Sequence, residues 1–206
     1  MFKLRNQELI ILIVTVVIFA GFSVFLDKFF STGNLLTLMR SVSILGILSI
    51  AMAVVVISKG IDLSLIATLA VGTALASVLS SGDVLPLIDL PFIYAVLIGL
   101  IFTSILCAIT GILVAYWDMA SVFVTLAMAG VIYGLGRTLF IGDELNYLPE
   151  DALWLEYLGR GQLFGVPMPI ICFLSLALLM HLLLTKTTFG KFVYSIGDSG
   201  LAARTA

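Results

Sequence analysis

With 206 residues, 62% of them hydrophobic and 11% charged, and a net charge of −2, the chain falls outside two broad classes. Soluble domains carry about 25% charged residues, so no single core hides this much apolar surface, and the negative balance offers nucleic acid no basic field. Apolar runs of about 20 residues recur along the chain without alternating, which excludes a β-barrel and makes the fold class all-α, a polytopic transmembrane helical bundle.

Six spans are expected, taken in order. The first covers about Leu9–Leu26. Lys3 and Arg5 before it resemble a signal peptide, but Ile18-Phe19-Ala20 lacks the small-x-small cleavage pattern, so the segment reads as an uncleaved span. A short loop, Asp27 to Asn34, leads to span two, about Leu35–Ile57. Lys59-Gly60-Ile61-Asp62 then forms a turn into span three, about Leu63–Ser81. Gly82, Asp83, Pro86, Asp89 and Pro91 mark the next loop. Span four is about Phe92–Ala115, turned at Tyr116-Trp117-Asp118 into span five, about Ala120–Ile141. A polar segment at 142–165 precedes span six, about Pro167–Leu184, and a polar tail begins at Thr185.

The turn before span three is the sharpest polar interruption in the first half of the chain. After it, Gly60, Ser64, Thr68, Gly72, Ala76 and Ser80 recur at every fourth position. Small residues at that spacing let helix backbones approach closely in lipid. A four-residue step drifts by about 40° per repeat, so the row winds around the helix and predicts a central helix packed on more than one side. Span four repeats the pattern with Gly99, Thr103, Cys107, Gly111 and Ala115, and span five has Thr125, Ala129, Gly130, Gly134 and Gly136. Such stripes fit either a pathway between the three spans or tight packing with none. Hydroxyls at Ser64, Thr68, Thr103, Ser104, Thr110 and Thr125 favour an uncharged polar solute. The spans hold no row of acids of the kind ion coupling often uses.

Charged residues within spans are functional candidates by default. Arg40 and Arg137 lie near span ends, where snorkelling or an interhelical pair is the simpler reading. Asp62 stands immediately before a helix and can cap its free amides; a role in a gate or pathway is compatible with that. Lys3, Arg5, Lys59, Lys186, Lys191 and Arg204 fall on one side of the membrane if the N-terminus is cytoplasmic, against Lys28 and Arg160 in the opposite loops. The positive-inside rule therefore gives N-in and C-in.

The polar segment carries Asp143, Glu144, Glu150, Asp151 and Glu156 against Arg160. Pro149 fits a helix start, and Leu153, Trp154, Tyr157 and Leu158 form an apolar stripe at helical spacing. The expectation is a short helix on the outer membrane surface, either an interfacial anchor or a docking surface for an extracytoplasmic partner. Cys107, Cys172 and His181 stand singly, so neither a metal site nor a disulfide is expected. No catalytic constellation, cofactor motif or Gly-x-x-x-x-Gly-Lys-Ser/Thr phosphate loop is present in the sequence. In the tail, Gly197, Asp198 and Ser199 read as a turn, and Leu201 to Arg204 as the first turn of a helix, a natural contact for a soluble partner.

The tail resembles the cytoplasmic loop of sugar-type ABC importer permeases of the ribose, xylose and galactose branch. It matches at Thr187, Gly190, Tyr194, Ile196, Gly197, Ala202, Ala203 and Arg204, and the Gly-Ile-Asp-Leu-Ser motif of that family stands complete at Gly60–Ser64. Thr125-Leu126 and Gly165-Val166-Pro167-Met168-Pro169 resemble further family positions in the same order. Two departures are Leu65-Ile66-Ala67 where the family has Val-Gly-Ser, which sets bulk beside the presumed pathway, and Asp198 in place of a glycine.

The resemblance implies a multi-pass subunit of the cell (inner) membrane, in contact with lipid and working as a homo- or heterodimer with a second permease subunit. Cytoplasmic ATPase subunits would press on Gly197, Asp198, Ala202, Ala203 and Arg204. An extracytoplasmic sugar-binding protein would deliver substrate to a pathway that includes Asp62, Ser64, Thr68 and Thr125. Family permeases continue with further spans, so these residues are expected to be the front portion of one permease domain, with an outer loop at 142–165 and a coupling loop at 185–206. Competing readings are a permease for a furanose-type quorum signal, an ion-driven carrier or channel, and a membrane scaffold without a pathway.

Overall fold

The computed structural model describes residues 6–81, 90–139 and 152–200. Their helices are α1 (Asn6–Phe25), α2 (Thr32–Ile57), α3 (Leu65–Ser81), α4 (Phe92–Tyr116), α5 (Ser121–Leu139), α6 (Leu153–Arg160), α7 (Met168–Lys186) and α8 (Thr188–Asp198). A two-stranded antiparallel hairpin, β1 (Gln162–Leu163) and β2 (Val166–Pro167), separates α6 from α7. The chain is an all-α polytopic membrane protein. By length and composition α2, α4, α5 and α7 can cross a bilayer, and Leu9–Phe25 and Leu65–Ser80 are shorter apolar helices.

The helix ends follow local chemistry. The Ser31 side chain caps α2 by accepting from the Asn34 amide at 3.3 Å. Pro167 precedes α7, and Pro169 lies in its first turn, where the missing amide costs no helical bond. At its other end α2 closes in a Schellman arrangement: the Lys59 amide donates to the Val56 carbonyl and the Gly60 amide to the Val55 carbonyl, both at 2.9 Å.

Two groups of helices result. In one, α3 packs against α4 and α5. Every residue of α3 from Ala74 to Ser80 is buried, as expected of a central helix. A Cβ added at Gly99 would stand 2.9 Å from the Gly72 carbonyl oxygen, and one at Gly72 would meet Thr103 Cγ2 at 2.6 Å. Gly136 of α5 sits directly on the Val71 side chain. In the other group α2 packs on α7, where the Phe173 ring fills the space above Gly46. The first group meets the α6 region through Leu79, Phe92 and Ala152, with the Phe92 and Trp154 ring centroids 6.0 Å apart. At that end Arg40 donates from Nη2 to the Arg160 carbonyl at 3.2 Å, while its Nε is buried without a partner among the described residues.

The tail differs from its expected form. The polar loop with a turn at Gly197–Ser199 is a helix, α8, capped at Ser199. The buried positions Gly190, Val193 and Gly197 share one face, and both glycines lie against backbone: Gly190 on the Leu184 carbonyl, Gly197 on the Ile57 carbonyl. Glycine costs a helix about 1 kcal/mol relative to alanine, but here only its missing Cβ admits the contact. Ala202, Ala203 and Arg204 lie outside the described residues, as do Lys3 and Arg5, the loop residues Gly82, Asp83, Pro86 and Asp89, and Asp143, Glu144, Pro149, Glu150 and Asp151 of the acidic segment. Glu156 and Arg160 form an exposed i,i+4 pair at 3.8 Å, worth at most about 0.5 kcal/mol. The hairpin within the expected loop has a two-residue turn at Phe164-Gly165, with φ 50° and 79°, which is type I′ geometry.

Candidate functional site: a cavity at the Lys59 end

The Lys59–Ser64 turn, the α4–α5 connection and α8 share one end of the bundle, and a half-open cavity of about 1170 Å³ lies between them. Its turn-side wall is polar. Lys59 adopts φ 60°, the left-handed position that ends a Schellman motif, usually occupied by glycine. Gly60 follows at close quarters, since a Cβ there would stand 3.1 Å from Val55 Cγ1.

Ile61 is held through both backbone groups. Its amide donates to Ser121 Oγ at 3.2 Å. Its carbonyl accepts from the Thr125 hydroxyl at 3.2 Å, a proton shared with the Ser121 carbonyl at 2.8 Å. Asp62 then starts α3: one carboxylate oxygen accepts from the Ser64 amide at 2.8 Å and from the Ser64 hydroxyl at 2.6 Å. The Ser64 carbonyl in turn receives the Thr68 amide and hydroxyl, both at 2.9 Å. These buried polar groups are therefore satisfied locally, as burial requires.

Asp62 and Thr125 line the cavity; Ser64 and Thr68 do not. Thr68 lies beside Cys107 of α4. Ile66, the bulky departure from the family pattern, is exposed and outside the cavity wall. The small-residue row of α4 divides by depth. Gly99 and Thr103 pack on Gly72, whereas Gly111 and Ala115 line the cavity. Packing and open space are thus both present, at different levels of one stripe.

The third side is α8. Phe192 and Ile196, one turn apart, face the cavity, and Gly197 rests on the Ile57 carbonyl. The Lys59 ammonium donates to the Asp198 carbonyl at 3.3 Å, placing a cation at the negative end of the helix dipole. Residues singled out separately, Asp62 and Thr125 on one hand and Gly197 and Asp198 on the other, therefore adjoin a single turn. Sequence reasoning missed Ser121 and Phe192, and had Asp118 only as a turn residue and Ile196 only as a match in the tail. For Ser121 the available signal was a hydroxyl in the first turn of a helix; for Phe192 and Ile196 it was the i,i+4 apolar pair.

The profile of the family "Branched-chain amino acid transport system / permease component" matches residues 34–206. The ribose import permease protein RbsC of Bacillus subtilis (strain 168) is 32% identical over 181 residues, 88% of this chain and 54% of that protein. RbsC of Escherichia coli (strain K12) is 28% identical over 206 residues, 98% and 60% of the two chains. The L-arabinose ABC transporter permease protein AraH of Azospirillum brasilense is 29% identical over 193 residues, 94% and 54%. The chain thus spans 54% to 60% of the length of these relatives, and no solved structure matches it. The likeness to sugar permeases read from the Gly60–Ser64 and tail motifs is borne out by these relatives, and the chain belongs to the permease family whose profile covers it from residue 34 to residue 206.

Proposed function

We propose that the chain is a transmembrane portion of a permease subunit in an ATP-driven importer of a monosaccharide of the ribose or arabinose kind. The Lys59 end faces the cytoplasm, and the cavity is an inner vestibule on the substrate pathway. The observation that carries this reading is the joint between Lys59, Gly197 and Asp198. It ties the vestibule wall to α8, and so to the segment 201–206 on which a cytoplasmic ATPase would act. Movement of α8 is transmitted through Ile57 and Lys59 to Ile61, and from there to α5 by Ser121 and Thr125.

The cavity chemistry favours an uncharged polyol over an amino acid. Of the charged residues that line it, Lys59 donates to a carbonyl and Asp62 accepts from Ser64, while hydroxyls, aromatic surface and the Asp118 carboxylate, an acceptor for sugar hydroxyls, meet the solute. A second permease subunit, the ATPase subunits and an extracytoplasmic binding protein complete the assembly, and ATP hydrolysis resides on the ATPase subunits.

The test is uptake in proteoliposomes holding the permease with its ATPase and binding protein. ATP-dependent accumulation of labelled ribose or arabinose, without accumulation of leucine, is expected; leucine uptake alone overturns the reading. Gly197→Ala, which pushes a methyl into the Ile57 carbonyl, is expected to leave ATP hydrolysis running while uptake falls about tenfold. Unchanged uptake in that variant removes α8 from the coupling route.

A further inference from the structure

The β1–β2 hairpin leads straight into α7, one of the helices able to cross a bilayer. Its tip residue Phe164 is 98% exposed, the most exposed of the large apolar side chains described. Phe164 and Gly165 both have positive φ, so the turn is tight and projects the ring away from the strands. Leu163 and Val166 are exposed beside it, and positions 162–167 carry no charge.

A fully exposed phenylalanine flanked by two exposed aliphatics does not suit water. Its position names the occupant. Pro167 abuts the first residue of α7, and four residues at about 3.3 Å each, doubled back on themselves, keep the tip within about 10 Å of that helix start. That keeps the ring beside the end of a helix able to cross the bilayer. Trp154 and Tyr157 of α6, both exposed, lie at the same end, where amphipathic rings collect in membrane proteins. The Tyr157 hydroxyl donates to the Gln162 carbonyl at 3.1 Å, fixing the hairpin to that aromatic surface. Arg40 reaches out of α2 to the Arg160 carbonyl at this level, as a snorkelling arginine does at an interface. The hairpin itself carries no charge with which to register a soluble partner.

We propose that the β1–β2 hairpin is a lipid-inserting finger, with Phe164 seated at the headgroup–acyl boundary of the bilayer. It pegs the depth of α7 and, through Arg40 on the Arg160 carbonyl, the depth of α2. The inference does not depend on the transported solute.

The test places a nitroxide at Phe164→Cys in a Cys107→Ser, Cys172→Ser background, with the protein in phosphatidylcholine nanodiscs. Leu163→Cys serves as a second site if the first variant fails to fold. Relaxation of the label by oxygen, which concentrates in lipid, is compared with relaxation by a water-soluble nickel chelate. Oxygen accessibility exceeding that of the chelate by about twofold or more is expected at both sites. Chelate accessibility above that of oxygen puts the tip in water, free to meet a soluble partner, and overturns the proposal. Low accessibility to both means that protein covers the tip, and overturns it equally.

Discussion

The α3–α4–α5 group and the α2–α7 pair both place glycine where helices cross, and they use it differently. In the first, one glycine meets backbone, Gly99 against the Gly72 carbonyl, while Gly72 and Gly136 lie on the Thr103 and Val71 side chains. In the second, glycine meets a ring, with Phe173 filling the notch above Gly46. Without a hydrophobic driving force inside lipid, association rests on packing. A backbone-to-backbone contact has no rotamer to adjust, so the α3–α4 crossing at Gly99 tolerates little added bulk, whereas the Phe173 ring above Gly46 can turn aside. The Lys59–Ser64 turn joins these two kinds of contact, with Ile61 bonded to α5 and Lys59 to α8.

The largest effect that can break this contrast is Gly99→Val. A branched side chain there meets the Gly72 carbonyl, and a loss of about 3 kcal/mol is expected, read as a lower melting temperature in detergent and loss of the monodisperse peak. Gly46→Ala is milder, about 1 kcal/mol, because the far end of the Phe173 ring can turn aside, and Phe173→Leu should restore it. If the two glycine variants melt alike, the distinction between the two groups fails.

The smallest effect sharpens the joint between the groups. Lys59→Gly relieves the left-handed backbone but removes the cation from the end of α8. The opposing contributions leave a net change within about 0.5 kcal/mol. Lys59→Ala keeps the strain and loses the cation, and so should lie about 1 kcal/mol below Lys59→Gly in denaturation. Equal stability of the two would show that the positive φ at Lys59 carries no cost.

Features that depend on near neighbours in sequence were readable in advance. The apolar runs fall on α1 to α5 and α7, the four-residue row of small residues marks the central helix, and Asp62 stands directly before α3, though it bonds to Ser64 rather than to the free amides of the helix. What escaped depends on partners distant in the chain. Gly190 and Gly197 look like breakers until the Leu184 and Ile57 carbonyls lie against them. Thr125 reads as one more small hydroxyl residue of a stripe, and only the fold sets it on the Ile61 carbonyl. Phe164 at a type I′ turn defeats the usual Asn-Gly signal, so the hairpin passed for loop.

The double hold on Ile61 also imposes an order on biosynthesis. Its partners Ser121 and Thr125 lie 60 and 64 residues downstream. At about 5–20 residues per second, the ribosome needs several seconds to supply them after the α2–α3 hairpin has been made. Until then these bonds cannot form, so the finished turn is a late event, reached when the start of α5 arrives.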